Sequence, residues 1–232
     1  MDRAEAFEAL DVLAYLAAMV AVIVSICLSA AVKSTFNKYR NDIISSGMSG
    51  GDIAQQILAD NGIDDVQLMV IPGTLTDNYD SKRRVLRLSE PVAYSRSISA
   101  IAVAAHECGH VIQHHEGYRL LSFRNALAPV AKFVICAGAI IFVFGCASPS
   151  GPLCPLGAIL VGAAVMFYIV TFPVEVNASE IAITILEDRR LIRYDERERI
   201  NKVLKAATIA YIAAVLASIV ERFSRISFGD TD

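Results

Sequence analysis

The sequence predicts a mainly α-helical membrane protein with about four transmembrane helices and an α+β insertion that contains a small β-hairpin or sheet. Apolar residues make up 55% of the 232 residues and charged residues 19%, whereas soluble domains contain about 45–50% and about 25%. The apolar residues are clustered, because Phe133–Val174 is a run of 42 residues without Asp, Glu, Lys or Arg. This composition excludes a disordered chain and a small disulfide-stapled domain. The formal net charge of −3 gives no reason to expect a nucleic-acid partner.

Residues 1–33 are predicted to form an N-terminal transmembrane anchor. Val12–Val32 contains 21 residues without a charge, which as a helix would span a hydrocarbon core of about 30 Å. A cleaved signal peptide is the alternative. The segment before the apolar run is acidic rather than basic, and the run exceeds the usual apolar region of about 7–15 residues. These features favour a retained anchor.

Residues 126–174 are predicted to form a transmembrane hairpin. Its arms would be Ala126–Ala147 and Leu156–Val174, because the Pro/Gly/Ser-rich sequence between them is typical of a turn. Residues 206–232 would then form a C-terminal transmembrane or membrane-associated helix and tail. The uncharged stretch Ala206–Val220 has only 15 residues, so a buried amphipathic helix is an alternative.

Residues 34–125 form a polar segment with mixed secondary structure. A capped helix is expected to end at Gly62. Two short β-type runs follow, Val66–Ile71 and Arg84–Ser89, and turn residues connect them. Ser97–Gln113 then has the pattern of a mostly apolar helix. The segment is therefore predicted to contain a strand pair followed by a helix.

Charge predicts the orientation in a plasma membrane. Lysines and arginines are concentrated in residues 34–125 and 175–205, whereas the loop of the predicted hairpin carries none. The positive-inside rule places both basic segments in the cytoplasm. A multi-pass protein with both termini outside the cell follows.

The histidines indicate a metal site. His106, Glu107 and His110 form an HExxH sequence within the predicted helix. Residues i and i+4 share a helix face, so both imidazoles can bind one Zn²⁺. Glu107 can take a proton from a water that the metal activates and pass it to the leaving amine. A helix after a strand pair is the arrangement of zincin peptidases, so residues 34–125 are predicted to be a zincin-like catalytic segment.

A catalytic zinc site usually has a third protein ligand. The metzincin pattern fails here, because Gln113 occupies the expected Gly position and Glu116 the expected last His position. His114 or Glu116 could bind only if the helix ended early. Glu175 is favoured, because it ends the long uncharged run on the same predicted side as His106. Residues 175–205 are therefore predicted to be a helix that carries the third ligand.

Three separated motifs resemble those of the YugP-type membrane zinc metallopeptidases. They are AVAAHECGHVIQHHEGY, the upstream IPGTLTDNYDSKRRVLRLSE and the downstream TFPVEVNASEIA. The resemblance implies a neutral zinc endopeptidase of the bacterial membrane, similar in its site to the HtpX-type proteases. It also implies that His106, His110 and Glu175 are the zinc ligands and that Glu107 is the catalytic base.

The resemblance has three further implications. Related proteases carry an Asp four residues after the ligand Glu, where this sequence has Ser179, so Ser179 or Asn177 would orient a histidine by hydrogen bonding. Thr76–Tyr79 would lie near the cleft. Arg84–Ser89 would be an edge strand that holds an extended peptide.

The sequence therefore predicts a membrane-embedded zinc endopeptidase with a peptide or membrane-protein substrate and with membrane lipid around it. Two alternatives stay open. One is a site-2-type intramembrane protease with Ser97–Gln113 as a spanning helix, which the polar flanks of that helix argue against. The other is a non-proteolytic zinc-binding scaffold or assembly factor. Tyr79, Tyr118 and Tyr211 are candidates for the group that stabilises the oxyanion.

Overall fold

The computed structural model describes residues 27, 30–147, 153–206 and 208. The chain divides into two units. One, which we call the α+β unit, comprises Ala31–Asn125 and Thr171–Ala210. The other comprises Met1–Ala30, Ala126–Val170 and Tyr211–Asp232. In chain order the described elements are α1 (residues 30–38), α2 (Gly50–Asp60), β1 (Gln67–Ile71), β2 (Asn78–Asp80), β3 (Val85–Ser89), α3 (Glu90–Ala93), α4 (Ile98–His115), α5 (Arg119–Ala147), α6 (Leu153–Asp188) and α7 (residues 194–206).

Helix α2 begins and ends at local sequence signals. The Ser49 side chain accepts a hydrogen bond from the Asp52 main-chain N, and the Asp52 carboxylate accepts one from the Ser49 main-chain N. This reciprocal capping box satisfies N–H groups that the first turn cannot pair. After the helix, Gly62 adopts a φ of 65°, a left-handed conformation that glycine accepts at little cost. The predicted capped helix that ends at Gly62 is confirmed.

The sheet has the strand order β1-β3-β2. β1 pairs parallel to β3, and β2 pairs antiparallel to β3. The implied edge position of Arg84–Ser89 is therefore wrong, because β3 is the central strand. The connection between the two predicted β runs is long enough to form a strand of its own, and a parallel pair cannot be closed by a tight turn. β2 was missed because it has only three residues.

The core of the α+β unit lies between the sheet and helices α2 and α4. β3 is buried at four of its five positions, as expected for a strand covered on both faces. Helices α6 and α7 contribute further apolar side chains to the same core. The large, fully buried residues include Ile53, Ile57, Leu86, Leu88, Ile98, Ile101, Leu186 and Ile200.

Helices α4 and α6 approach each other closely at Gly109. A Cβ atom at this position would lie 2.4 Å from the main-chain oxygen of Ala178. Only glycine allows this approach, because real Cβ atoms do not come so near to a carbonyl oxygen. The predicted helix Ser97–Gln113 corresponds to α4, whose first turn is capped by the Ser97 side chain. Gly109 thus brings α6 against the face of α4 that carries the histidines.

The expectation of about four transmembrane helices is wrong. Among the described residues, one helical stretch, Arg119–Gly138, is long and apolar enough to cross a membrane. An uncharged apolar run shows that residues avoid water, and it does not distinguish lipid from a protein interior. The second predicted arm, Leu156–Val174, lies in α6, which continues without a break to Asp188. The first predicted span, Val12–Val32, and the fourth, Ala206–Val220, lie almost entirely outside the described residues.

Helix α6 also runs across the predicted boundary at residue 174. Glu175 lies within α6 rather than at the start of a new helix, and α7 begins only at residue 194. The predicted division into residues 1–33, 34–125, 126–174, 175–205 and 206–232 stays a prediction.

Candidate metal centre

Two buried imidazoles lie side by side on α4. His106 and His110 are one helical turn apart, and their ring centroids are 4.9 Å apart with the rings nearly perpendicular. Their relative exposures are 5% and 7%. A buried imidazole needs partners for both ring nitrogens. Their surroundings therefore determine what the pair can do.

The Glu175 carboxylate faces both imidazoles from α6. Glu175 Oε2 lies 3.4 Å from His106 Nε2 and 3.6 Å from His110 Nε2. The three potential ligand atoms lie within 4.8 Å of one another, and all three residues are buried. The structure thus brings together the three residues that the sequence singled out as metal ligands. The contact at Gly109 makes this possible, because Glu175 is one turn before Ala178 on α6.

Each imidazole makes a hydrogen bond on the side away from Glu175. His106 Nδ1 lies 3.1 Å from the Ser179 hydroxyl oxygen. His110 Nδ1 lies 3.0 Å from Gln113 Oε1. Ser179 is one of the two residues that the sequence offered for orienting a histidine. The other, Asn177, bonds to Gln113 rather than to a histidine.

Arg124 holds the second oxygen of Glu175. Its Nη2 lies 2.8 Å from Glu175 Oε1, so the two residues form an ion pair. Burial opposes ionisation of Glu175, but the positive charge of the Arg124 guanidinium favours the carboxylate, and the pKa of Glu175 is lowered below its ordinary value. Glu175 therefore stays a carboxylate with one oxygen directed at the two histidines.

Glu107 lies beside this cluster without joining it. It follows His106 on α4 and is partly exposed, whereas both histidines are buried. Desolvation by the surrounding protein raises the pKa of Glu107 to about 7, and the negative charges of Glu175 and Asp77 act in the same direction. A partly exposed carboxyl group that follows a ligand on the helix and has a pKa near 7 can accept and release a proton, as a general base must.

Strand β2 approaches the end of the histidine helix. The Tyr79 hydroxyl lies 2.7 Å from His114 Nδ1. Asp77 Oδ1, just before β2, accepts a hydrogen bond of 2.7 Å from the Ser89 main-chain N. Burial raises the pKa of Tyr79 to about 12 and lowers the pKa of His114, so both groups stay neutral at pH 7. Thr76–Tyr79 therefore lies next to α4, and His114 is engaged away from the cluster.

Three residues that contact the cluster or its hydrogen-bond partners were not predicted from the sequence. Arg124 was used only as a charge that sets orientation, Gln113 only as a mismatch to the metzincin pattern, and Thr208 not at all. Thr208 hydrogen-bonds Ser179 at 3.1 Å. The role of Gln113 could have been inferred from its position, because an amide three residues after a ligand histidine on a helix can reach the Nδ1 atom of that histidine. Arg124 and Thr208 are distant in sequence from the residues they contact.

The donor set of the cluster fits a zinc ion. Two imidazole nitrogens and one carboxylate oxygen are the ligands of many catalytic zinc sites, which leave a further position open. The distances of 3.4 and 3.6 Å between Glu175 and the histidines are too long for strong hydrogen bonds. Three buried acceptor atoms thus face a common point, where a cation would be stabilised.

Comparison with known proteins agrees with this chemistry. Residues 14–228 match the family described as "Putative neutral zinc metallopeptidase". The protein described as "Putative membrane protease YugP" of Bacillus subtilis (strain 168) is 47% identical over 203 residues, which cover 87% of this chain and 90% of that protein. No solved structure matches the chain. The resemblance noted from the three motifs is confirmed, and the chain belongs to this family of neutral zinc metallopeptidases.

Proposed function

We propose that this protein is a membrane-associated zinc endopeptidase that hydrolyses peptide bonds of membrane or membrane-associated proteins. The observation that carries the proposal is the buried cluster of His106, His110 and Glu175, with Glu107 beside it on the same helix. The three ligand atoms come from two helices that a glycine holds in contact. Such a cluster has no role in an ordinary apolar core, because buried acceptors without donors are costly.

The residues of the chain divide the chemistry among them. Zinc, when bound, polarises a carbonyl oxygen and lowers the pKa of water. Glu107 accepts a proton from the attacking water while the water oxygen bonds to the peptide carbonyl carbon. Glu107 then donates that proton to the amine nitrogen when the C–N bond breaks. Arg124 holds Glu175 Oε1, so that Oε2 stays directed at the histidines.

The outer edge of β2 is the proposed binding site for an extended peptide. β2 lies at one edge of the sheet and pairs only with β3 among the described strands. Its Tyr79 contacts His114, two turns after His106 on α4. An added strand would find free main-chain groups on β2. A peptide paired there would run beside the helix that carries Glu107.

The membrane association rests on α5. Its stretch Arg119–Gly138 is apolar and long enough to span, and Arg124, five residues after its start, contacts Glu175. At 1.5 Å per residue, Arg124 is about 8 Å from the end of the stretch. The cluster would therefore lie near a membrane surface, where membrane proteins and lipid headgroups are within reach. The basic residues before this stretch and the uncharged residues after it favour a cytoplasmic active site.

A Glu107→Gln variant tests the proposed mechanism. The amide cannot accept a proton, so the variant should keep its zinc and lose peptide hydrolysis. Glu116→Gln is the matched control, because Glu116 is an exposed carboxyl at the end of the same helix. Membrane proteins from cells with each variant are compared for cleaved products by mass spectrometry. Wild-type cleavage by Glu107→Gln would refute the mechanism. Zinc binding without any cleavage by the wild type would favour the scaffold alternative.

A further inference from the structure

The two histidines are linked, on the side away from Glu175, to two separate chains of hydrogen bonds. We propose that these chains hold both imidazoles in the tautomer with a bare Nε2 and thereby set the zinc affinity. Ser179 and Thr208 form one chain, and Gln113 with Asn177 forms the other. They are positioning residues, because they act through the histidines. The inference rests on the proposed zinc site and adds residues that determine its affinity.

The first chain of hydrogen bonds ends at a main-chain oxygen, which can only accept a hydrogen bond. The Thr208 hydroxyl donates to the main-chain oxygen of Leu204 at 3.1 Å. The Thr208 oxygen lies 3.1 Å from the Ser179 hydroxyl, which lies 3.1 Å from His106 Nδ1. All three hydrogen bonds can form at once in only one way. Thr208 donates to Leu204, Ser179 donates to Thr208, and His106 Nδ1–H donates to Ser179. His106 Nε2 then carries no proton.

The second chain gives the same result for His110. The Gln113 amide nitrogen donates to the main-chain oxygen of Val174 at 2.9 Å and to Asn177 Oδ1 at 2.8 Å. A main-chain oxygen cannot donate, so the amide orientation is fixed. Gln113 Oε1 must therefore accept a hydrogen bond from His110 Nδ1–H. His110 Nε2 is bare as well.

The chains explain why the cluster can hold a cation. Both bare Nε2 atoms and the Glu175 carboxylate are acceptors, and none of these three atoms supplies a proton to another. Zinc binds the neutral imidazole through its lone pair, so each chain removes the need to change tautomer before binding. The second chain also joins α4 to the turn of α6 that carries Glu175, since Val174 and Asn177 flank that residue. Gln113 is almost completely buried, at 1% exposure, and its polar atoms are all used.

The Ser179 hydroxyl is a weaker hydrogen-bond acceptor than the carboxylate that related proteases carry four residues after the ligand Glu. The hydroxyl oxygen is uncharged and accepts a hydrogen bond from the His106 Nδ1–H. Thr208 fixes the direction of the Ser179 O–H bond by accepting a hydrogen bond from it. Loss of either hydroxyl should let the His106 ring adopt the other tautomer or turn away. Changes of this kind weaken metal binding by about 10–100-fold.

The test is the zinc dissociation constant of the purified full-length chain, measured by competition with a chromophoric chelator. Ser179→Ala, Thr208→Val and Gln113→Leu should each weaken zinc binding about 10–100-fold. Thr208→Ser keeps the hydroxyl and should bind nearly as the wild type does. Thr35→Val is the matched control, because Thr35 makes the same hydroxyl bond to the carbonyl oxygen four residues earlier, on α1 and away from the histidines. It should leave zinc binding unchanged.

Each outcome decides between the inferences. If the wild type binds zinc and Ser179→Ala, Thr208→Val and Gln113→Leu all bind within twofold of it, the positioning role is refuted and the proposed zinc site stands. Equal weakening by Thr35→Val, or no recovery with Thr208→Ser, would mean that the loss reflects general destabilisation and would also refute it. If the wild type itself binds no zinc, the proposed function fails together with this inference. The thermal unfolding of each metal-free variant is recorded alongside.

Discussion

Replacement of Gly109 by alanine tests how the fold assembles the cluster. The added Cβ would lie 2.4 Å from the Ala178 main-chain oxygen, whereas ordinary contacts begin at 3.4 Å. The two helices must therefore separate by about 1 Å at this point, because neither backbone can give way alone. Glu175, one turn before Ala178, would move away from His106 and His110 by a similar amount.

A shift of this size is large for a metal site. Ligand distances must stay within about 0.2 Å of their ideal values, so a displacement near 1 Å removes Glu175 from the ligand set. We expect Gly109→Ala to weaken zinc binding at least about 100-fold, the upper end of what changes around a ligand cause. Overpacking should also lower the free energy of unfolding by about 1–3 kcal/mol.

The assay separates the two effects with a second glycine. At Gly51 an added Cβ would lie 2.9 Å from the Ala93 main-chain oxygen, in a helix contact away from the histidines. Gly51→Ala should therefore lose stability and keep its zinc. Zinc affinity is measured by chelator competition and stability by urea unfolding of the metal-free chain. If Gly109→Ala binds zinc as tightly as the wild type, the contact between α4 and α6 does not position Glu175.

The remaining predictions concern the charges of the cluster and the orientation of the protein. Arg124→Gln leaves the buried Glu175 carboxylate without its cation, so the metal-free chain should lose about 3–5 kcal/mol of unfolding free energy. Zinc should raise the unfolding free energy of Arg124→Gln by more than it raises that of the wild type. An equal increase in both proteins would contradict the electrostatic role of Arg124. For orientation, a Cys at Tyr194, which is 92% exposed, should resist an impermeant thiol reagent in intact cells and react after permeabilisation. Reaction of this Cys in intact cells would place the cluster outside the cytoplasm.

The local part of the candidate site could be predicted from the sequence. His106 and His110 are four residues apart on a helix, so their common face follows from helix geometry alone. Glu175 was found because a carboxylate at the end of an apolar run is costly without a partner. Gly109 lies between the two histidines, where a small residue indicates a close helix contact.

The other parts of the site and fold depend on contacts between residues that are distant in sequence. Arg124 contacts Glu175 and Thr208 contacts Ser179 across long stretches of sequence, and no local pattern predicts those contacts. The family resemblance implied an edge position for β3, and the sequence did not correct it because the three-residue strand β2 has too little periodicity to detect. The spans were overcounted because hydropathy measures avoidance of water rather than contact with lipid.

Zinc content in the wild type and in Glu175→Ala is the most direct test of the central claim. The purified wild type should contain about one Zn²⁺ per chain, because His106, His110 and Glu175 form one three-ligand site. Glu175→Ala removes the ligand from α6 and should contain little zinc, while Glu180→Ala, which changes an exposed glutamate on the same helix, should match the wild type. These contents are measured by elemental analysis after dialysis against a weak chelator. Undiminished zinc in Glu175→Ala would contradict the account, because the metal would then be held without α6.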